Sequence, residues 1–577
     1  MQIHPHSQLS SDNGKTTSTK DFDWFNASVP CQDACPAGTD IPGYLKAIYQ
    51  GDYARAYRIN LEDNVFPGVL GRVCSRPCEP ACRHGWADNG ESVAICFAKR
   101  SAADLADAEP VRLSSRSPST GRRVAVVGSG VAGLTAAREL SLWGHQVTVF
   151  EKHGSPGGLL NQGIPEFRLP RQIIRREIEQ IRLAGVEIRC GVSVGETISL
   201  TQLQDEFDAV VMAAGAMKPH SPDCLLPLTG GVVHGLDYLL DVNENGNRKN
   251  PGRTIVIGGG YTAMDCARTA FRLGAPAVSI YCRRRPEEIA VNPGELEEVE
   301  HEGITVEFCT QPQGIRATEQ GRVAVEFSRT AGSARSKFDI ETDTVLIATG
   351  QAPDTSWLDS EMRPILAADG RLSSGESCRT EIPGLFAAGD FALGSTTLID
   401  AIGHAKNCAR AVDQYLVGRD RWRDVIDIQA AETTERERDL NTIKAVPMSS
   451  IPLGERTITA EVEEGLSVDE AATESSRCYL CNYKYEIDTD LCIGCDACLY
   501  VQPVKDCIVW LQEVETDDEG CRVGWTPSES YTTNNLLLID HQQCIRCGAC
   551  VDVCPVEGCI TLRHVQRQCL PDDPLPT

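Results

Sequence analysis

No stretch of this 577-residue chain approaches eighteen consecutive apolar residues, and its opening, MQIHPHSQLSSDNGKTTSTK, is polar with no apolar core. Neither a membrane span nor a secretory leader is therefore expected, and the expected location is the cytoplasm. Positive charge is also scarce. Lys and Arg number 55 against 81 Asp and Glu, a net charge of −26 that argues against nucleic acid or an anionic membrane as partner. No Cys-x2-Cys occurs between Cys190 and Cys408, which argues against a dithiol relay in the middle of the chain. Disulfides are not expected either, because a cytosol keeps thiols reduced and a chain with 26 Cys usually holds metal instead.

The cysteines are placed unevenly. Six lie between Cys31 and Cys96, thirteen between Cys478 and Cys569, and seven are scattered singly between. Metal is expected at both ends and a different chemistry in the middle. Residues 1–115 read as a small helical, cysteine-bearing domain, with apolar spacings that suit helices at Ile41–Tyr49 and Ala54–Ile59. After a Ser, Arg and Pro-rich linker, RRVAVVGSG, VAGLTAARELSLWG and QVTVFEK form a strand, helix and strand in order. The order recurs at RTIVIGGG, YTAMDCARTAFRLGA and AVSIYCRR, so two nucleotide-binding units are expected. The divisions expected are 120–250 and 344–420 for the two parts of the first unit and 251–343 for the second. Residues 421–476 read as a charged connecting arm of helix and coil, and 477–577 as a cysteine-rich module.

The first unit carries Gly128-Ser129-Gly130-Val-Ala132-Gly133 directly after a strand, with Glu151 ending the next one. Gly128 permits the tight turn, Gly130 lets the backbone approach a pyrophosphate, Gly133 lets helix and strand pack, and Glu151 can accept from a ribose hydroxyl. The second copy, Gly258-Gly-Gly260-Tyr261-Thr262-Ala263, is followed by Arg283-Arg284-Arg285 where a ribose-binding acid would stand. Guanidinium groups pair with a 2′-phosphate that an acid would repel, so NADP(H) is the expected second nucleotide, with NAD(H) the alternative. Small-residue turns end further strands at Gly215, Gly350 and Gly389-Asp390.

This order of turns, with the stretch Gly157-Gly158-Leu159-Leu-Asn-Gln-Gly-Ile-Pro-Glu-Phe-Arg168-Leu-Pro170, resembles the small (beta) subunit of bacterial glutamate synthase across roughly residues 28–420. The resemblance implies FAD in the first unit, contacted by Gly128, Gly130, Gly133, Glu151, Gly158 and Asp390. It implies NADPH in the second unit, and that this unit is inserted into the FAD fold. Ser129, Ala132, Lys152, Leu159, Arg168, Gly215, Gly350, Gly389 and Thr397 complete the expected cofactor contacts, with Gly258, Gly260, Tyr261, Thr262, Arg283 and Arg284 on the nicotinamide side. Tyr261 and Ile289-Ala290 depart from the residues such relatives often carry. The fold expected is α/β: two Rossmann-like domains flanked by an N-terminal helical iron–sulfur domain and a C-terminal ferredoxin-like domain.

Cys544-x2-Cys547-x2-Cys550-x3-Cys554-Pro555 has the spacing of bacterial ferredoxins, in which the fourth Cys ligates the neighbouring cubane. Its partner run, Cys492-x2-Cys495-x2-Cys498, has Gln502 in the fourth place. Cys492, Cys495, Cys498 and Cys554 make one complete [4Fe–4S] set. Cys544, Cys547 and Cys550 need a fourth ligand, for which Cys507 is the candidate, with Gln502 or a three-iron cluster the alternatives and zinc knuckles a further reading. Cys478-x2-Cys481 leaves room for an additional metal site. At the other end, Cys31-x3-Cys35-Pro36 and Cys74-x3-Cys78-x3-Cys82, with Cys96, resemble the cluster domain of glutamate synthase small subunits and of dihydropyrimidine dehydrogenase. That resemblance implies one complete site from Cys35, Cys74, Cys78 and Cys96. Such relatives usually carry two more Cys upstream; this chain has none, so six thiolates cannot fill two cubanes, and Cys31 and Cys82 are left as the remnant of a second site or as ligands of an incomplete cluster.

These features together lead to an FAD-dependent iron–sulfur oxidoreductase with two to four clusters, mostly [4Fe–4S]. Hydride transfer needs stacking more than acid–base groups, so no catalytic side chain is expected. No separate substrate domain is legible, so the expected partner is a ferredoxin or a larger catalytic redox subunit in a hetero-oligomeric complex. Glutamate, 2-oxoacid and formate enzymes are its analogues. The alternative is an electron-transfer subunit without nicotinamide turnover. Electron bifurcation would use the same parts and leaves no sequence signal.

Overall fold

The computed structural model describes residues 22–571, apart from 87–89, 107–110, 112, 114–116, 227–229, 332–333, 359–365, 368–369, 373, 376, 437–442, 517–521 and 529–535. The N-terminal domain is helical. Its helices Ile41–Tyr49 and Tyr53–Asn64 start at Asp40 and Asp52, whose carboxylates accept from Gly43 N at 3.0 Å and Arg55 N at 2.9 Å. Helix Pro67–Val73 lies so close to helix Ile95–Leu105 that a Cβ on Gly71 would stand 2.6 Å from Arg100 Cα.

Two five-stranded parallel sheets follow. The first runs in the order Leu385–Ala387, Ala209–Met212, Arg123–Val127, Gln146–Glu151, Glu187–Cys190. The second runs Val232–His234, Thr344–Ile347, Thr254–Ile257, Val278–Tyr281, Thr305–Glu307. Central strands such as Val124–Val127 and Thr254–Ile257 are buried throughout, as strands covered on both faces must be. The chain leaves the first sheet after Met212 and returns to it at Leu385, so the second unit is an insertion in the first. Two strands differ from the expected divisions. Val232–His234 and Thr344–Ile347, which linear order assigned to the first unit, pair with each other in the second sheet. Parallel crossovers bring distant segments side by side, so a cut at one sequence position does not follow sheet membership.

The segment expected as a connecting arm is also more regular than its charge suggested. Trp422–Ala431 is a ten-residue strand antiparallel to Ile560–Pro571, which pairs in turn with Tyr483–Ile487. Ile426 and Ile428, two apart, share the face that packs on the core. Helix Val468–Ser476 begins with a capping box from Ser467 and Glu470 and packs on helices Ile41–Tyr49 and Ile95–Leu105. One hydrophobic core consequently runs from Trp24 through Val124 and Val126 to Val565. Among the described residues, no helix is long and apolar enough to cross a membrane.

Candidate active site and cysteine sets

A cleft of about 860 Å³ lies between the two parallel sheets. Strand ends carrying glycine turns face it from both sides, where ligands bind in open α/β sheets. On the first side Gly128, Ser129, Gly130, Ala132, Glu151, Lys152, Gly158, Leu159, Gly215, Asp390 and Thr397 line it. Gly133 and Gly389 do not; they act one layer behind. A Cβ on Gly133 would overlap the Gly128 carbonyl oxygen, and one on Gly389 would overlap Ala132, whereas Gly130 has open space. The glycines thus divide between packing and leaving room. Glu151 accepts from Ser129 N at 2.9 Å and Ser129 Oγ at 2.6 Å through one oxygen, and from His153 N at 2.9 Å through the other. Its carboxylate therefore fixes the glycine turn as well as facing the cleft. Asp390 accepts from Thr396 N at 3.1 Å and Thr396 Oγ1 at 2.6 Å; burial raises its pKa against those bonds.

On the second side Gly258, Gly260, Tyr261, Thr262, Arg283, Arg284 and Gly350 line the cleft. Gly258 packs against the Ala348 carbonyl, and Gly260 and Gly350 stand in open space. Arg283 and Arg284 are exposed at the cleft edge, while Arg285 lies outside it. Arg168 also lines the cleft, in an ion-paired setting. Its Nη1 donates to Asp265 Oδ1 at 2.8 Å, its Nη2 pairs with Glu295, and its guanidinium lies 5.7 Å from the Tyr261 ring centroid. Burial opposes its charge, yet Asp265 and Glu295 more than compensate and hold its pKa above the usual value. Arg168 so ties the first unit to the second. Tyr261 OH accepts from Asn292 N at 3.2 Å, and Asn292 Nδ2 donates to Cys74 O at 3.3 Å.

The cleft wall includes residues that sequence reasoning did not select. His220, Thr310, Gln311, Gln313 and Gln351 are scattered, without a motif to mark them. Val73 and Ser75 come from the N-terminal domain and flank Cys74. The nucleotide cleft therefore abuts a cysteine-bearing loop.

The cysteines form separate groups. Cys35, Cys74, Cys78 and Cys96 are buried together around Lys99, which is itself 2 % exposed. Burial alone would lower the Lys99 pKa, but the four sulfurs around it raise it. In the C-terminal module Cys492, Cys495, Cys498 and Cys554 line one apolar cavity, joined by Cys559. Cys507 faces Cys544 and Cys547, with Cys550 beside them; burial and those neighbours push Cys507 up to about 12. Gln502 Oε1, by contrast, accepts from Ile508 N at 2.8 Å. Backbone N–H groups donate to sulfur from Arg76 to Cys74 and from Arg546 to Cys544, both at 3.4 Å. Among the described residues no three His, Cys, Asp or Glu side chains converge closely enough for a single metal ion. Thiols, most of them buried, that gather more loosely than a single ion allows fit a multi-iron cluster better than zinc, whose four ligands lie at about 2.0–2.3 Å.

Paired parallel sheets facing one cleft, with cysteine sets at both ends, define an iron–sulfur flavoprotein of the NAD(P)H oxidoreductase class. Residues 122–414 match the pyridine nucleotide-disulphide oxidoreductase family, and the chain belongs to it. Residues 26–111 match the dihydropyrimidine dehydrogenase domain II, 4Fe-4S cluster family, and 537–558 a 4Fe-4S binding domain. The NADP(+)-dependent formate dehydrogenase subunit beta of Moorella thermoacetica is 33% identical over 506 residues, 79% of this chain and 70% of that one. The NADPH-Fe(3+) oxidoreductase subunit beta of Geobacter sulfurreducens is 31% identical over 79% of this chain and 75% of its own. A glutamate synthase [NADPH] small chain of Mycobacterium tuberculosis is 33% identical over 68% of this chain and 87% of its own. The expected resemblance, fold class and cofactors are thereby borne out: the chain is an FAD-dependent NAD(P)H oxidoreductase with 4Fe-4S domains at both ends.

Proposed function

We propose that this chain passes electrons between NADPH and a partner redox subunit, entering at the cleft and leaving through the C-terminal cysteine sets. The observation that carries the reading is the position of Val73 and Ser75, which place the Cys74 loop in the wall of the nucleotide cleft. FAD, when bound, supplies the exchange between two-electron hydride transfer and the one-electron steps of iron–sulfur clusters. The residues supply position and field. Gly128, Gly130 and Gly158 admit the flavin nucleotide with Glu151 and Asp390 at its polar edge, and Arg283 and Arg284 meet the 2′-phosphate of NADPH. Gly258 and Gly260 admit its pyrophosphate at the start of helix Tyr261–Arg272. Arg168, bonded to Asp265 and Glu295, holds the two nucleotide units in register. The metal ligands proposed are Cys35, Cys74, Cys78 and Cys96; Cys492, Cys495, Cys498 and Cys554; and Cys507, Cys544, Cys547 and Cys550. The two nucleotide units divide by sheet membership, so Val232–His234 and Thr344–Ile347 go with the NADPH unit.

The exit lies at the Cys492–Cys498 loop. Cys495 is exposed there, and Ile493 and Tyr500 are 67% and 86% exposed, an apolar edge beside a cysteine set. Relatives named as formate dehydrogenase and glutamate synthase subunits support a catalytic redox subunit as the partner. The test is reduction of a two-cluster bacterial-type ferredoxin as a probe acceptor. Ile493→Glu with Tyr500→Glu should slow NADPH-dependent reduction of the ferredoxin at least tenfold while flavin bleaching by NADPH keeps its rate. Equal ferredoxin reduction by variant and wild type would place the exit elsewhere.

A further inference from the structure

Of the cysteines that remain outside the sets above, the fold brings together four from opposite ends of the chain. Cys31, at the start of the short helix Pro30–Asp33, and Cys82 face Cys478 and Cys481 across the contact between the N-terminal domain and the C-terminal module. All four line one small apolar cavity walled by Ile41, Leu45, Val93, Ile95 and Tyr479. Cys31, Cys478 and Cys481 are 7%, 8% and 7% exposed. We propose that Cys31, Cys82, Cys478 and Cys481 hold a [4Fe–4S] cluster that spans the two domains, the C-terminal Cys-x2-Cys pair supplying the two thiolates the N-terminal domain lacks.

Local geometry supports the assignment independently of the cavity. Two positions after Cys74, Cys492 and Cys544 the backbone turns left-handed, at Arg76 (φ 60), Gly494 (φ 64) and Arg546 (φ 59). The same turn follows Cys478, at Leu480 (φ 50), where a branched apolar residue is costly. Leu480 N donates to Cys478 Sγ at 3.4 Å, the same bond and length as Arg76 to Cys74 and Arg546 to Cys544. The Cys478 loop is therefore built like the loops of the sets already assigned.

Charge points the same way. A cubane with four thiolates is anionic, and a buried anion needs nearby cations. Arg83, 3% exposed, lines this cavity, and Lys484 and Arg546, 0% and 1% exposed, lie near Cys481. Arg83 Nη1 donates to Cys481 Sγ at 3.7 Å and to His541 O at 2.6 Å, and Lys484 Nζ reaches Ser28 O at 3.4 Å. Arg436 Nη1 donates to Cys478 O at 3.0 Å and Nη2 to Ile545 O at 2.6 Å, while its buried Nε has no hydrogen-bond partner. These groups also tie the cavity to the Cys544 loop on one side. On the other, the buried Tyr44 has Cys31 as well as Cys35, Cys78 and Cys96 in its surroundings, and its hydroxyl donates to Ile95 O at 3.1 Å, the residue before Cys96. The site thus stands between the cluster beside the cleft and those of the C-terminal module.

Iron and inorganic sulfide would be counted anaerobically in the full-length reconstituted protein and in Cys31→Ser, Cys478→Ser and the double variant, with EPR of the dithionite-reduced samples. Each single variant should lose about four irons and four sulfides per chain, and the double variant no more than either single one, because all remove one cluster. FAD content and NADPH bleaching of the flavin should stay unchanged and so report folding. Unchanged iron in either variant would overturn the assignment, and so would additive losses of about eight irons or the loss of one zinc instead. Should the variants not accumulate, the unaltered chain decides: about sixteen irons per chain supports the site and about twelve refutes it.

Discussion

Replacing Arg283 and Arg284 together by Ala tests how the cleft tells NADPH from NADH. Both guanidinium groups sit at the cleft edge just beyond strand Val278–Tyr281, and both are exposed. A hydrogen bond to a charged group contributes about 1.5–3 kcal/mol, and solvent exposure holds each of these near the lower end. Losing two therefore costs about 2–3 kcal/mol of NADPH binding, or about 30- to 150-fold. NADH carries no 2′-phosphate, so its binding should change less than about threefold. The assay is steady-state kcat/KM for each nucleotide with a one-electron dye as acceptor, at low and moderate salt. The NADPH penalty should shrink as salt rises, since exposed charges are screened. Equal losses for both nucleotides would refute the phosphate reading and leave the arginines as structural.

Three further outcomes are expected. Cys547→Ser should cost about four irons per chain and abolish ferredoxin reduction while leaving flavin bleaching by NADPH intact; undiminished ferredoxin reduction would remove the C-terminal module from the route. Glu302 is buried and bonded to Arg268, Arg272 and Arg456, at 2.9, 2.7 and 2.8 Å. Burial would raise its pKa, but the arginines outweigh it and hold it at about 2. A depressed carboxylate stabilises the fold above its unfolded pKa and loses that contribution as pH falls, so Glu302→Gln should cost up to about 3 kcal/mol at pH 7. Denaturant titration should find the gap narrowing from pH 5 downward; a constant gap would rule out the ionic contribution. Arg168→Met, which removes the bonds to Asp265 and Glu295, should slow hydride transfer at least tenfold while FAD stays bound; an unchanged rate would show that the two units keep their register without it.

Much of this was legible in the sequence because short-range spacing carries it. Gly128, Gly130 and Gly133 sit in one turn, and each spacing maps to one steric requirement. The Cys544–Cys554 run is equally local. Where the requirement is met by distant residues, the reading stopped. Arg83 and Cys481 touch across 398 positions, so a shortage of thiols near Cys31 and a surplus pair at Cys478 stood as two separate facts until the fold joined them. Thr344–Ile347 was assigned to the wrong sheet for the same reason. The strand at Trp422–Ala431 was hidden by charge: Arg423, Asp424 and Asp427 sit among its apolar residues, and only pairing with Ile560–Pro571 reveals which face is covered. Arg168 was picked as a cofactor contact from the resemblance, and the structure adds its ion pairs to a different unit.

The most direct test is anaerobic stopped-flow mixing of the loaded protein with NADPH, following the visible flavin band, with rapid-freeze EPR of the clusters on the same samples. Flavin bleaching within the turnover time, followed by cluster signals, is the result the account predicts. Bound flavin that NADPH leaves oxidised, or flavin reduction with no cluster signal, would contradict it.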